Sequence, residues 1–147
     1  MPDLFELTRI GSLELRNRLV RSATWEGLAD ANGRSTVRLV WLYRELAEGE
    51  VGLIISSYLY VREDGRSSPG QLGAHSEGCV PGLSRLAEVV HGAGGKIVGQ
   101  IVHGGGQSLP EAGPAGPSAV DSPGYKTRPR QMSTEEVERL PAAFAEA

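Results

Sequence analysis

Three polar clusters, each placed just after a short apolar run, hold most of the residues here that could do chemistry. They are Ser22-Ala23-Thr24-Trp25-Glu26-Gly27, Ser56-Ser57-Tyr58, and Gln100 with His103-Gly104-Gly105-Gly106-Gln107 beyond it. In parallel α/β folds, ligands sit outside the carboxyl ends of the strands. Hydroxyls, a phenol and a carboxamide at those ends suit a planar ligand with hydrogen-bonding edges. Each residue also has a plain structural reading. Ser22 and Thr24 serve equally as turn or cap hydroxyls, Trp25 as core, and Tyr58 as a strand-end aromatic. Gln100 serves equally as an inward polar residue bonded to backbone, and His103 as a loop-stabilising histidine. Glu26 and Asp30 read as solvated loop charges. Cys79, the single cysteine, reads as a small buried apolar residue. His75 and His91 have no partner at ligand spacing, so no metal site is expected.

Two other chemistries share parts of this spelling. His103-Gly104-Gly105-Gly106 matches the oxyanion-hole segment of lipase-like hydrolases, but no Gly-x-Ser-x-Gly nucleophile elbow occurs in the chain. A dinucleotide-binding turn would need Gly-x-Gly-x-x-Gly after the first strand, and Ser22 to Gly27 does not supply it.

Period and punctuation predict the elements that must position these clusters. Thr8-Arg9-Ile10 and Leu13-Glu14-Leu15 flank Gly11-Ser12, which predicts a hairpin within 5–16. Strands are predicted near 18–23, 51–57 and 96–102. The continuous apolar run Val51 to Ile55 is of the kind a sheet covered on both faces requires. Ser35 or Thr36 can cap a first helix whose apolar stripe is read as Val37, Val40, Trp41, Arg44, Leu46 and Ala47, with Gly49 as its stop. Leu83, Leu86, Ala87, Val89 and Val90 give a second helical face, and Ser133 with Glu136 forms a capping box that opens a third helix. Residues 103–130 hold six glycines and five prolines and read as a long loop. Alternation of strand and helix predicts an α/β fold of parallel βα units, about 18–49, 51–94 and 96–147. A complete (β/α)8 barrel takes about 250 residues. The 147 residues here are therefore expected to hold the first three units of such a barrel, an incomplete barrel forming part of a single domain.

Composition narrows the partners. With 15 Lys plus Arg against 18 Asp plus Glu, a net charge of -3 and no basic run, nothing offers the positive footprint that a nucleic acid needs. No apolar stretch approaches the roughly 18 residues of a membrane span. One cysteine and no basic n-region with an apolar core predict a cytoplasmic protein.

The segments Leu15-Arg16-Asn17-Arg18-Leu19-Val20, Val51-Gly52-Leu53-Ile54-Ile55, Gly65-Arg66, Gly99-Gln100-Ile101-Val102-His103-Gly104-Gly105, Pro117-Ser118-Ala119 and Met132-Ser133 occur in an order and spacing that resembles the old yellow enzyme family of flavin-dependent NAD(P)H oxidoreductases. The resemblance covers nearly the whole chain. It implies a TIM barrel holding FMN, reduced by NAD(P)H and reoxidised by a small-molecule acceptor such as a carbonyl-conjugated alkene, the ene-reductase reaction. It would place Ser22, Ala23, Thr24 and Trp25 along the isoalloxazine ring, Tyr58 at the second strand end, and Gln100 on the ring's pyrimidine edge. A carboxamide matches that edge because it accepts from N3–H while donating to a ring carbonyl. Ala23 stands where many members have proline, and Trp25 where a Thr or Cys commonly touches the flavin. In the family, the pair holding the substrate carbonyl and the phosphate cradle come from later strands. This chain is therefore expected to look truncated and to be inactive alone. The alternative expectation is a non-catalytic fragment that folds in a complex or as a homo-oligomer through its open sheet edge.

Overall fold

The computed structural model describes residues 3–121, 124 and 127–147. Met1 and Pro2 of the domain expected over 1–147, and positions 122, 123, 125 and 126 of the loop expected over 103–130, lie outside the described residues.

The chain opens with β1 (Thr8–Ile10) and β2 (Leu13–Leu15), paired antiparallel with Ile10 opposite Leu13. The turn residue Gly11 has φ +59°, a left-handed conformation that a side chain disfavours. The segment after the hairpin, residues 16–19, ties the amino ends of the next strands together. The Asn17 side-chain nitrogen donates to the Glu50 carbonyl at 2.6 Å, the Arg16 guanidinium donates to the Ala93 carbonyl, and the Leu19 carbonyl receives the Gly52 and Leu53 N–H groups. The buried Leu15 lies beside this junction in sequence.

A three-stranded parallel sheet carries the rest: β3 (Val20–Arg21), β4 (Leu53–Tyr60) and β5 (Lys96–Val102), in that spatial order. The helices are α1 (Val37–Glu48), α2 (Val80–Gly92) and α3 (Thr134–Glu146). Thr36 caps α1, its hydroxyl accepting from Leu39 N–H, and Ser133 with Glu136 forms the reciprocal capping box on α3. The segment after β5 contains one further parallel pair, β6 (Ala115–Gly116) with β7 (Arg130–Gln131). The described strands form no closed barrel.

Three details differ from the sequence reading. The first strand is only two residues long where 18–23 was expected, because Asn17 Oδ1 accepts the Leu19 N–H at 3.0 Å before it and the chain leaves the ladder at Ser22. The second strand runs from Leu53 to Tyr60 where 51–57 was expected, so Tyr58 lies within it. The buried stripe of α1 is Leu39, Tyr43 and Ala47, while Val37 and Trp41 are exposed. Two stripes are compatible with the helical period, and Tyr43 decides between them. Its ring joins the core while its hydroxyl finds polar partners. Trp41 stays outside with Arg44 over its ring at 5.2 Å.

The core is the layer between sheet and helices, where Leu39, Tyr43 and Ala47 of α1 and Leu86, Val89 and Val90 of α2 pack with Ile54 and Leu59 of β4 and with Leu72. Burying each large aliphatic side chain contributes roughly 1.5 to 3 kcal/mol. By contrast, α3 buries none of its side chains.

Candidate functional site

β4 supplies the first unusual feature. Its register with β5 runs Leu53 to Lys96, Ile54 to Ile97 and Ile55 to Val98, then resumes at Tyr58 with Gln100, Leu59 with Ile101 and Tyr60 with Val102. Ser56 and Ser57 thus stand opposite Gly99 alone, a β-bulge. The bulge leaves backbone donors off the ladder, and hydroxyls take them. Ser56 Oγ accepts the Gln100 N–H at 3.1 Å, and the Tyr43 hydroxyl accepts the Ser57 N–H at 3.0 Å. Tyr58 and Gln100 come out side by side on the face away from the helices.

There they line an open cleft of about 700 Å³ together with Ser67, Ser68, His103 and Gln107. The Tyr58 hydroxyl is hydrogen-bonded to Ser68 Oγ at 3.0 Å. Beneath this rim, the fully buried Gln71 accepts the Ser67 and Ser68 N–H groups at 2.8 and 3.1 Å and donates to the Tyr58 carbonyl at 3.3 Å. The Gln100 side chain is exposed, and among the described residues its carboxamide has no hydrogen-bond partner.

His103 is held from both nitrogens. Nδ1 accepts the Gly105 N–H at 3.1 Å, so Nε2 carries the proton and donates to Asp64 Oδ1 at 3.3 Å. Gly65 permits the approach, since a Cβ there would lie 2.6 Å from the imidazole. Nearby, Tyr60 stacks on His75 with centroids 4.5 Å apart, and His75 Nε2 meets Glu63 Oε1 at 2.9 Å. Burial first, then the Glu63 charge, pushes the Tyr60 hydroxyl well above the ordinary phenol range.

Ser22 to Trp25 leave β3 on the opposite side of β4 from Gln100, and none of them lines the cleft. Ser22, Thr24 and Trp25 are exposed and Ala23 is half-buried, with the Thr24 hydroxyl donating to the Ser22 carbonyl at 3.1 Å. Trp25 is 48% exposed, which sets aside its reading as core. Glu26 is the larger correction, because its side chain is only 6% exposed where a solvated charge was expected. Its Oε1 lies 2.7 Å from Arg21 Nη2 and accepts from the Tyr43 hydroxyl at 3.1 Å. Burial, then the Glu26 charge, raises the Tyr43 pKa to about 12, so this hydroxyl keeps its proton. Of the sequence candidates, then, the structure brings Tyr58 and Gln100 into one cleft and sets the 22–25 segment on the other flank of β4. Gln71, Asp64 and the Arg21–Glu26–Tyr43 set were missed. The only sequence signal for the last was an acid five residues after a base, spanning the candidate loop.

The sequence pattern of the NADH:flavin oxidoreductase / NADH oxidase family matches residues 3–147. The chain belongs to this family. An NADH oxidase of Thermoanaerobacter brockii is 36% identical over 151 residues, which cover 99% of this chain and 23% of that protein. An NADPH dehydrogenase of Halalkalibacterium halodurans is 31% identical over 142 residues, 96% of this chain and 42% of that one. Among solved structures, 2-naphthoyl-CoA reductase superposes with a TM-score of 0.92 at 28% identity, covering 97% of this chain and 24% of its own. An old yellow enzyme homologue from Zymomonas mobilis superposes at 0.86 with 25% identity, covering 99% and 44%. The chain therefore spans less than half the length of each of these relatives.

The NADH:flavin oxidoreductase family uses FMN as cofactor and NAD(P)H as reductant. The unpartnered Gln100 carboxamide fits such a cofactor, because it presents a donor and an acceptor together to an open cleft. No helix among the described residues is long and apolar enough to cross a membrane.

Proposed function

We propose that the protein containing this chain is an FMN-dependent NAD(P)H oxidoreductase that reduces carbonyl-conjugated carbon–carbon double bonds, and that residues 1–147 supply the first three βα units of its barrel. The observation that carries this reading is the pairing of Tyr58 with Gln100 at the carboxyl end of the sheet, with the Gln100 carboxamide unpartnered on the cleft. When bound, FMN would supply the hydride chemistry of the reaction. This chain's part is binding and orientation. The Gln100 amide would hold the ring edge, donating to a ring carbonyl and accepting from a ring N–H, and Tyr58 with Ser68 borders the same cleft. Ser22, Ala23, Thr24 and Trp25 form the flank across β4, where Trp25 presents an exposed aromatic surface. The later strands of the barrel supply the phosphate cradle and the groups that hold the substrate carbonyl.

The protein as encoded, purified and examined by absorbance, is expected to be yellow or to turn yellow with added FMN. It should then oxidise NAD(P)H in the presence of an α,β-unsaturated ketone. Protein that neither carries flavin nor takes it up would overturn the proposal. An open reading frame continuing past Ala147 into further strand–helix units is expected, and an immediate stop codon would favour the non-catalytic alternative.

A further inference from the structure

A buried polar chain connects the two flanks of the candidate site from below. Arg21 is the last residue of β3 and Glu26 stands five residues on, so their 2.7 Å ion pair closes a ring over Ser22, Ala23, Thr24 and Trp25. The pair is desolvated, with side chains 16% and 6% exposed. From the same carboxylate oxygen, a hydrogen bond of 3.1 Å runs to the Tyr43 hydroxyl on α1. That hydroxyl accepts the Ser57 N–H in the β4 bulge at 3.0 Å, and Arg21 Nη1 donates to the Ile55 carbonyl just before it at 3.4 Å. The Arg21 guanidinium also lies 5.6 Å from the Tyr43 ring centroid.

Each link answers a physical requirement. The loop 22–25 has little of its own to fix its shape, since among the described residues its one side-chain hydrogen bond is Thr24 to the Ser22 carbonyl. The bulge frees a backbone N–H in a buried part of β4, and an unmet donor there would cost roughly 1 to 3 kcal/mol. Tyr43 meets it with an oxygen whose own proton is committed to Glu26. The shape of the loop and the register that sets Tyr58 against Gln100 are thereby joined through one phenol.

We infer that Arg21, Glu26 and Tyr43 are positioning residues for the planar cofactor, a set that fixes the Ser22–Trp25 flank relative to Tyr58 and Gln100 without touching the ring. The inference rests on the FMN reading above. Tyr43→Phe removes the central hydroxyl and keeps the core-filling ring. In the protein as encoded, this variant is expected to bind FMN about three- to tenfold more weakly, the worth of one net hydrogen bond. It should also shift the visible band and midpoint potential of the bound flavin. Leu39→Ala, which opens the same helix–sheet core, is expected to lower thermal stability with band and potential unchanged. A Tyr43→Phe protein that binds FMN with wild-type affinity, spectrum and potential overturns the inference while leaving the FMN reading intact. A wild-type protein that takes up no FMN fails the reading itself. Should Tyr43→Phe not accumulate folded, hydrogen exchange on the wild-type protein decides. FMN must then protect residues 22–26 and 53–60 together, and protection of one segment without the other overturns the inference.

Discussion

Gln100 concentrates the chemistry of the candidate site in one side chain. Its backbone N–H is spent on Ser56 Oγ, which fixes the strand, while its carboxamide is left for a ligand. Gln100→Leu is expected to weaken FMN binding about five- to a hundredfold, from two hydrogen bonds at roughly 0.5 to 1.5 kcal/mol each. Gln100→Glu should be no better despite its matching size, since a carboxylate has no N–H to donate. Flavin fluorescence titration of both variants checks this, and a Glu variant that binds like the wild type would mean the amide donor is unused. Gln100 was legible in the sequence because it follows an apolar run in a recognisable segment. Glu26 was not, because an acid beside glycine in a polar stretch looks solvated until the fold brings Arg21 and Tyr43 to it.

Among the elements, helix boundaries and caps were written most plainly. Thr36, Ser133 and Glu136 stand where local hydrogen bonding alone demands them. The choice of buried stripe on α1 was hidden, since it depends on a bulge in the following strand, which the helical period does not announce. The same strand defeated a reading by alternation. At strict period two, Tyr58 shares a face with Ile54 and points to the helices, and the bulge reverses that. The α3 cap gives a prediction at this scale. Two guanidinium bonds from Arg130, together with the Ser133 N–H, pull the Glu136 carboxyl from 4.5 down to about 2. The folded value lies below the unfolded one, so the contribution of this group to stability is complete above about pH 4.5 and is lost as pH falls towards 2. Both partners are exposed, so salt should weaken the effect. A carboxyl-resolved NMR titration is expected to give a Glu136 midpoint near 2. A midpoint at the ordinary 4.5 would contradict the box, and Glu136→Gln should remove the acid dependence of α3 helicity in that window.

Across the whole molecule, the sheet ends on β5, whose outer edge has no neighbouring strand among those described. Val98 on the cleft face and Ile101 on the helix face are 44% and 39% exposed, so the edge is apolar on both sides. Such edges recruit further strands. Residues 1–147 alone are therefore expected to self-associate with rising concentration, and Ile101→Lys should suppress this in light-scattering measurements. The isolated segment should bind FMN more weakly than about 1 μM, because Gln100 and its neighbours then compete with water on an open cleft. A tighter dissociation constant would mean that three βα units suffice. At this scale the parallel order of the units was legible from alternation of apolar runs and helical faces. The weak burial of α3 was not, since its amphipathic spelling resembles that of helices that do pack.

The paired serines of β4 also change how the chain should be compared with others. Because Ser56 and Ser57 together oppose one glycine, a chain one residue shorter at this point would form an uninterrupted ladder with Tyr58 still facing Gln100 and Leu59 still in the core. The bulge thus absorbs the extra residue and leaves the phenol facing the cleft as it would in the shorter chain. What it adds is the spare N–H that reaches Tyr43. A one-residue gap between Ile55 and Tyr58 in an alignment would accordingly mark a chain in which a hydroxyl at position 43 has no strand N–H to accept, so length at one site and side-chain identity at the other should vary together.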